Sequence, residues 1–174
     1  MRPFYRCADT RKQTTLPHDR FVSELLIREI RYVDVLAASN AVDLLAEYER
    51  ECSIPAIGAI NPQGDIYANL ETLGLMHTFG VFAGEELVGF GSILLSTLPH
   101  YGKKVAVQES LFISKPYRSG AIGRRFLHTL EDFAQGADCV AILYSAPTGG
   151  AFDKLLALTS SVIRTNSIYC RRLA

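Results

Sequence analysis

Residues 111–126 read LFISKPYRSGAIGRRF, and this stretch predicts three elements of structure in succession. Apolar residues run as a strand into Pro116, which cannot continue the hydrogen-bond ladder of a sheet. Gly120 and Gly123 then bracket the start of a segment with helical periodicity. The apolar residues of that segment fall on one helical face, namely Ile122, Phe126, Leu127, Leu130, Phe133 and Ala134. The stretch therefore predicts a strand, a tight turn and an amphipathic helix ending near residues 135–136.

The turn between that strand and helix has the features of an anion site. A helix N-terminus presents unpaired N–H groups and the positive end of the helix dipole. Glycines allow the backbone to approach phosphates closely. Positive charge is added by four nearby side chains, Lys115, Arg118, Arg124 and Arg125. The residues predict a phosphate or pyrophosphate site; the alternative is a plain turn with glycines for tightness and arginines for solubility.

The segments on either side of this stretch predict one mixed α/β domain. Before it, the patterns predict a strand over residues 24–33, a helix over 42–50 capped by Asn40, a short helix over 66–75, a hairpin of strands over 78–83 and 87–95, and a strand over 105–113. After it, they predict a buried strand over 139–144, a helix over 151–158 and two closing strands at 162–163 and 167–171. The domain comprises residues 21–174, and the polar residues 1–20 form an arm.

Composition excludes several classes of protein. The chain has 174 residues, the size of one domain, with 18 basic and 18 acidic side chains. The balanced charge argues against a domain that grips nucleic acid with its whole surface. Its four cysteines form no CxxC pair, so no metal site is predicted. No apolar run approaches the roughly 20 residues that span a bilayer, and no signal-peptide pattern occurs, so a cytoplasmic location is expected.

Arg118-Ser-Gly-Ala-Ile-Gly123 resembles the motif Q/R-x-x-G-x-G/A of the GNAT superfamily of N-acetyltransferases. In that family the motif binds the pyrophosphate of coenzyme A through backbone amides. The preceding Leu111-Phe-Ile-Ser-Lys-Pro-Tyr resembles the end of the family's fourth strand. The resemblance extends over about residues 76–146, with one departure in the motif: Ala121 replaces its first glycine, and Gly120 stands one place earlier.

The resemblance implies a fold, a co-substrate and a set of contacts. The fold is a mixed, mostly antiparallel twisted sheet of six or seven strands with helices on both faces, in which the fourth and fifth strands separate. Acetyl-coenzyme A is the co-substrate, no metal takes part, and a homodimer is an option. Pantetheine contacts carry over to Leu111, Phe112 and Ile113. Pyrophosphate contacts carry over to Arg118, Ser119, Gly120, Ala121, Ile122, Gly123 and Arg124.

Two residues are candidates for proton transfer when an amine attacks the thioester directly. Glu109 alternates with Val105, Val107, Leu111 and Ile113, and a carboxylate on such an apolar strand face is a candidate general base. The alternative is a structural or solvent-facing glutamate. Tyr144 ends the predicted strand over 139–144 and is a candidate acid for the thiolate, with simple packing as the alternative. The family's usual tyrosine in the following helix has no counterpart in residues 152–158.

The acceptor is not identified by any motif. A small-molecule amine is the first prediction. The alternatives are a macromolecular acceptor (a protein lysine, a tRNA-linked amine or a modified nucleobase) and a silent module that binds coenzyme A without catalysis. Balanced charge disfavours nucleic acid, and no membrane partner is predicted.

Overall fold

The structure, a computed structural model, describes residues 25–173, so the predicted arm over residues 1–20 lies outside the described residues. The elements in chain order are β1 (Leu26–Ile30), α1 (Tyr32–Ala37), α2 (Ala41–Cys52), α3 (Gly64–Thr72), β2 (Met76–Ala83), β3 (Glu86–Leu98), β4 (Lys103–Ile113), a 3-10 turn (Lys115–Tyr117), α4 (Ile122–Gly136), β5 (Ile142–Leu143) and α5 (Ala151–Ala157).

The strands form one sheet in the order β1-β2-β3-β4-β5. The first three pairings are antiparallel, and β5 lies parallel to β4. Short loops join β2 to β3 and β3 to β4, the three helices α1 to α3 connect β1 to β2, and α4 provides the crossover that a parallel pair requires. This mixed, mostly antiparallel sheet has the predicted fold class, with five strands in the described residues instead of the six or seven expected.

Two hydrophobic clusters attach helices to opposite faces of the sheet. On one face, the predicted apolar side of α4 packs through Ile122, Phe126, Leu130 and Ala134 against sheet residues that include Val88 and Ile93. On the other face, Tyr32, Val35 and Leu44 of α1 and α2 pack against Leu87, Phe90 and Phe112. Gly91 lets α4 approach β3 closely, because a Cβ there would lie 3.0 Å from Phe126 Cζ. The sheet is therefore covered on both sides.

The predicted strand over residues 24–33 is wrong at its C-terminal end. β1 stops at Ile30, and α1 begins at Tyr32. The side chain of Asp34 accepts a hydrogen bond from the Arg31 backbone N–H at 2.9 Å, which is one half of a capping box. Tyr32 is also buried in the cluster beneath α1 and α2. Local capping and burial together outweigh the strand preference of the apolar run.

The C-terminal part of the chain departs most from the sequence-based prediction. β5 contains only Ile142 and Leu143 instead of residues 139–144, and Leu143 is 40% exposed. The two closing strands are wrong, since residues 158–173 form no strand. Ile163 and Ile168 are 79% and 82% exposed. A run of strand-forming residues needs a partner edge, and the two residues of β5 offer very little of one.

Candidate active site

β4 is paired along its length on one side but over only two residues on the other. Its register with β3 runs from Lys103 to Ile113. Its register with β5 consists of Ala106↔Ile142 and Val107↔Leu143. One residue further on, the Gln108 side-chain oxygen accepts the Ser145 N–H at 3.0 Å. The predicted separation of these two strands is therefore present, and it begins at Gln108.

The turn that follows β4 presents a row of unpaired backbone amides. Among residues 25–173, no oxygen accepts a hydrogen bond from the N–H groups of residues 119–124. The first amide beyond them, that of Arg125, donates to the Ala121 carbonyl at 2.9 Å. Gly120 has φ +71°, which favours glycine, and no atom lies within 4 Å of the position its Cβ would take. These residues fit a pyrophosphate group.

The two other small residues of this turn have different roles. Ala121 is the N-cap of α4 with φ −95°, which alanine adopts freely, so the departure from the family motif causes no backbone strain. Gly123 allows α5 to approach, because a Cβ there would lie 3.3 Å from Leu155 Cδ2. The predicted role of Gly123 in admitting phosphates is thus joined by a packing role that the sequence did not indicate.

Two of the four cationic side chains that the sequence places near this turn are engaged in ion pairs. The Arg118 guanidinium donates to the Ile113 carbonyl at 2.6 Å and forms an ion pair with Glu51 at 2.9 Å. Lys115 forms an ion pair with the other oxygen of Glu51 at 3.1 Å. Arg125 donates to the Leu25 carbonyl at 3.0 Å. Arg124 is exposed and makes no ion pair within the described part of the chain.

Two acidic side chains of α2 account for this difference. Glu47 accepts hydrogen bonds from the Ser114 hydroxyl at 2.6 Å and the Lys115 N–H at 3.0 Å. Partial burial raises the pKa of Glu47, but these bonds and the charge of Arg118 outweigh burial and hold the pKa below its ordinary value. The pKa of Glu51 is likewise lowered, because its bonds to Arg118 and Lys115 outweigh desolvation. The two glutamates fix the end of β4 to α2.

Glu109 occupies a β-bulge, which overturns the predicted apolar setting. Ser92 pairs with Ser110 and Ile93 pairs with Gln108, so Glu109 has no opposite residue on β3. The bulge reverses the alternation of the strand. Ala106 before it and Leu111 and Ile113 after it pack with the α4 cluster. Glu109 itself is exposed.

A tyrosine from α3 holds the Glu109 carboxylate. The Tyr67 hydroxyl donates to Glu109 Oε1 at 2.6 Å. The Tyr67 ring stacks on the Tyr32 ring with centroids 3.6 Å apart. Burial first, and the bond to Glu109 second, raise the pKa of Tyr67, so its hydroxyl remains a donor. Sequence reasoning missed Tyr67, because nothing in its surroundings signals a partner 42 residues away.

Tyr144 directly follows β5, at the point where the two strands separate. Its hydroxyl donates to Glu131 Oε1 at 3.2 Å, and its ring contacts Phe152 edge to face at 5.8 Å. Burial, followed by the charge of Glu131, raises the pKa of Tyr144 and keeps the phenol protonated. Glu109 therefore lies on β4, and Tyr144 lies just beyond the end of β5.

Two further findings concern the described residues only. Between residues 25 and 173, no group of three His, Cys, Asp or Glu side chains could hold a metal ion. Within the same range, no helix combines the length and the apolar character needed to cross a membrane.

Comparison with solved structures shows the fold. A ribosomal-protein-alanine N-acetyltransferase from Brucella melitensis biovar Abortus 2308 is 17% identical, with a TM-score of 0.63, and the match covers 84% of this chain and 98% of that chain. The aminoglycoside acetyltransferase meta-AAC0020 from an uncultured soil metagenomic sample, in complex with trehalose, is 13% identical (TM-score 0.65; 86% and 97% covered). AAC(6')-Iy, in complex with a bisubstrate analog of coenzyme A, is 11% identical (TM-score 0.60; 87% and 99% covered).

A comparison of sequences identifies the family. No curated protein matches the chain. The profile of the Acetyltransferase (GNAT) family matches residues 42–150, which is more than half of the chain and includes both β4 and α4. The prediction of an N-acetyltransferase that uses acetyl-coenzyme A is thereby confirmed, and the chain belongs to the GNAT family of acetyltransferases.

Proposed function

We propose that this acetyltransferase binds the pyrophosphate of acetyl-coenzyme A on the amides of residues 119–124 and the pantetheine arm along the open edge of β4. The observation that carries the proposal is the position of those unpaired amides directly after the half of β4 that β5 leaves free. Arg124, which makes no ion pair with any residue between 25 and 173, adds a positive charge there. Arg118 contributes through its backbone and by holding Ile113, since its guanidinium is already bound to that carbonyl and to Glu51.

Three residues of β4 lie along the open edge where we place the pantetheine arm. Phe112 is only 4% exposed and packs against Tyr48 and Phe90, so its contribution is from its backbone. Leu111 and Ile113 are partly buried against the α4 side of the sheet. The open backbone edge of β4 offers amide and carbonyl groups to a pantetheine chain, in the way that a sheet edge binds an extended peptide.

Glu109 is the proposed general base. Oε1 accepts the Tyr67 hydroxyl, whereas Oε2 accepts no hydrogen bond from the described residues, and the side chain is exposed. During transfer the amine nitrogen forms a bond to the acetyl carbon, and the carbon–sulfur bond breaks. The proton lost from nitrogen passes to Glu109, directly or through one water. The pattern of a carboxylate with one anchored and one open oxygen suits this step.

Tyr144 is the proposed proton donor to the departing thiolate. Its raised pKa keeps a proton on the phenol, and its position after β5 places it at the branch between the strands. Donation requires the hydroxyl to leave Glu131, to which it is bound at 3.2 Å. That bond is long enough to be exchanged for a stronger one to an anion.

A small-molecule amine is the proposed acceptor. Structures of the same fold carry names that specify ribosomal-protein alanine and aminoglycosides, which are a protein amine and small-molecule amines. A macromolecular acceptor is therefore the second candidate. A cytoplasmic location and a homodimer are further proposals, which cell fractionation and light scattering of the purified protein can check.

The test combines binding with turnover. Calorimetry with acetyl-coenzyme A and with free coenzyme A should detect binding, and thiol release should be measured across small amines, peptides and nucleic acids. Glu109→Gln should lower kcat by about a hundredfold and leave coenzyme A affinity unchanged. Unchanged turnover in this variant excludes Glu109 as base. Binding without turnover on any amine supports the silent module.

A further inference from the structure

The hydrogen bond between Tyr67 and Glu109 joins two elements that are far apart in the sequence. Tyr67 lies in α3 and Glu109 lies at the bulge of β4. Their oxygens are 2.6 Å apart, which is the distance of a charge-assisted bond from a phenol to a carboxylate. An exposed glutamate at a bulge would otherwise exchange freely between rotamers. This bond selects one of them.

Tyr67 is itself held in place by α1. Its ring lies within 10° of parallel to that of Tyr32, which is only 1% exposed. Tyr32 in turn contacts Phe90 of β3 edge to face at 6.3 Å. The Tyr32 backbone N–H donates to Glu71 of α3 at 2.7 Å, so the two helices are joined twice. A rigid stack therefore carries the hydroxyl that meets Glu109.

Three phenols lie close enough to Glu109 for its charge to raise their pKa. They come from three helices: Tyr32 from α1, Tyr48 from α2 and Tyr67 from α3. Burial, together with the negative charge of Glu109, raises the pKa of Tyr32 to about 12. No cationic side chain of the described residues forms an ion pair with Glu109. The negative charge of Glu109 is thus left available to an incoming ammonium group.

From this geometry we infer that Tyr67 is a positioning residue, which fixes Glu109 through Oε1 so that Oε2 faces the acceptor amine. The inference rests on the proposed role of Glu109 as base. The 2.6 Å bond restricts the rotamers of Glu109 and leaves Oε2 as its open oxygen. The class of ligand that this arrangement recognises is a protonated amine.

Tyr67→Phe is the matched test, because it removes the hydroxyl and keeps the ring that stacks on Tyr32. Activity toward an amine, expressed as kcat/KM, should fall by about tenfold or more. Affinity for coenzyme A, measured by calorimetry, should not change. Tyr101→Phe, in an exposed turn, is the control and should match the parent protein.

A double-mutant cycle separates positioning from simple packing. In the Glu109→Gln background, Tyr67→Phe should cause little further loss, because the residue on which it acts has already been replaced. If Tyr67→Phe lowers kcat/KM in that background as much as it does in the parent protein, Tyr67 has only a packing role, and the inference is overturned. A parental kcat/KM for Tyr67→Phe overturns the inference alone and leaves Glu109 as base. Full turnover in Glu109→Gln overturns both.

Discussion

The two halves of β4 have different environments, although they belong to one strand. The first half, up to Val107, pairs with β3 on one side and approaches β5 on the other. The second half, from Gln108 to Ile113, pairs with β3 only, and the Glu109 bulge lies where it begins. The first half anchors the sheet, whereas the second half has an open edge beside both the amide row and the proposed base. The proposed chemistry uses the half that the sheet leaves incomplete.

The open half is stabilised by helices instead of by a neighbouring strand. Glu47 and Glu51 of α2 bind Ser114, Lys115 and Arg118 just beyond its end. Tyr67 of α3 binds Glu109 at its beginning. Bonds to charged groups are stronger than neutral ones. A strand edge can therefore remain free for a ligand without losing its geometry.

Replacing Tyr144 is expected to have the largest effect on the open side. Tyr144→Phe should lower kcat by about a hundredfold, because the departing thiolate loses its proton donor. Phe152→Leu is the matched control: it removes the ring contact at 5.8 Å and keeps the phenol. Steady-state thiol release measures both. If both variants lower the melting temperature and neither lowers kcat, Tyr144 has only a packing role and is not the proton donor.

Gly120→Ala tests the amide row with the next largest effect. The φ of +71° is strained for alanine by roughly 1–2 kcal/mol. In the unbound variant the turn can relax into another conformation and so avoid this strain. Binding of coenzyme A requires the strained conformation again, so the affinity for coenzyme A should fall by about tenfold. Gly136→Ala, near the end of α4 with no neighbouring atom within 4 Å, is the control and should bind normally. Calorimetry measures the affinity of both variants for coenzyme A. A loss in Gly120→Ala alone supports an anion site formed by the amide row, and equal affinities in the two variants favour a plain turn.

The hydrogen bonds that Glu47 of α2 accepts from Ser114 and Lys115 should make the stability of the fold depend on pH. Glu47 has a lowered pKa in the folded protein, so its contribution is present above the unfolded value of about 4.3 and is lost as pH falls through the folded value. Glu47→Gln should melt about 2–4 °C lower at pH 7, and the difference should shrink below about pH 4.3. Scanning calorimetry measures it, with the exposed Glu85→Gln as control. A difference that is constant with pH contradicts the charge-based account.

The smallest effect is expected from removing residues 160–173. Three large side chains of this segment are mostly exposed: Ile163 (79%), Ile168 (82%) and Tyr169 (90%). The removal also breaks the ion pair between Arg164 and Asp153, in which the arginine is exposed. Exposed pairs of this kind contribute little to stability, so the melting temperature should change by no more than about 4 °C. A much larger drop means that these apolar side chains are covered in solution.

Contiguous features of this molecule could be predicted from the sequence, and long-range ones could not. The apolar face of α4 and the turn after β4 lie within a few residues of each other, so periodicity and glycine placement were sufficient. Tyr67 and Glu109 are 42 residues apart, and Glu47 and Ser114 are 67 apart. A pattern of period two also conceals a bulge, because the extra residue leaves no mark on composition. The predicted environment of Glu109 failed for that reason.

The bulge at Glu109 separates the two ends of β4 in one further respect. Normal alternation would couple them, since a shift of one residue anywhere in a strand moves every later side chain to the opposite face. An inserted residue absorbs such a shift locally. The bulge therefore lets Ala106 before it and Leu111 and Ile113 after it pack toward α4, while Glu109 between them stays exposed. One inserted residue thus places a solvent-facing carboxylate in the middle of a strand whose neighbouring residues serve the core.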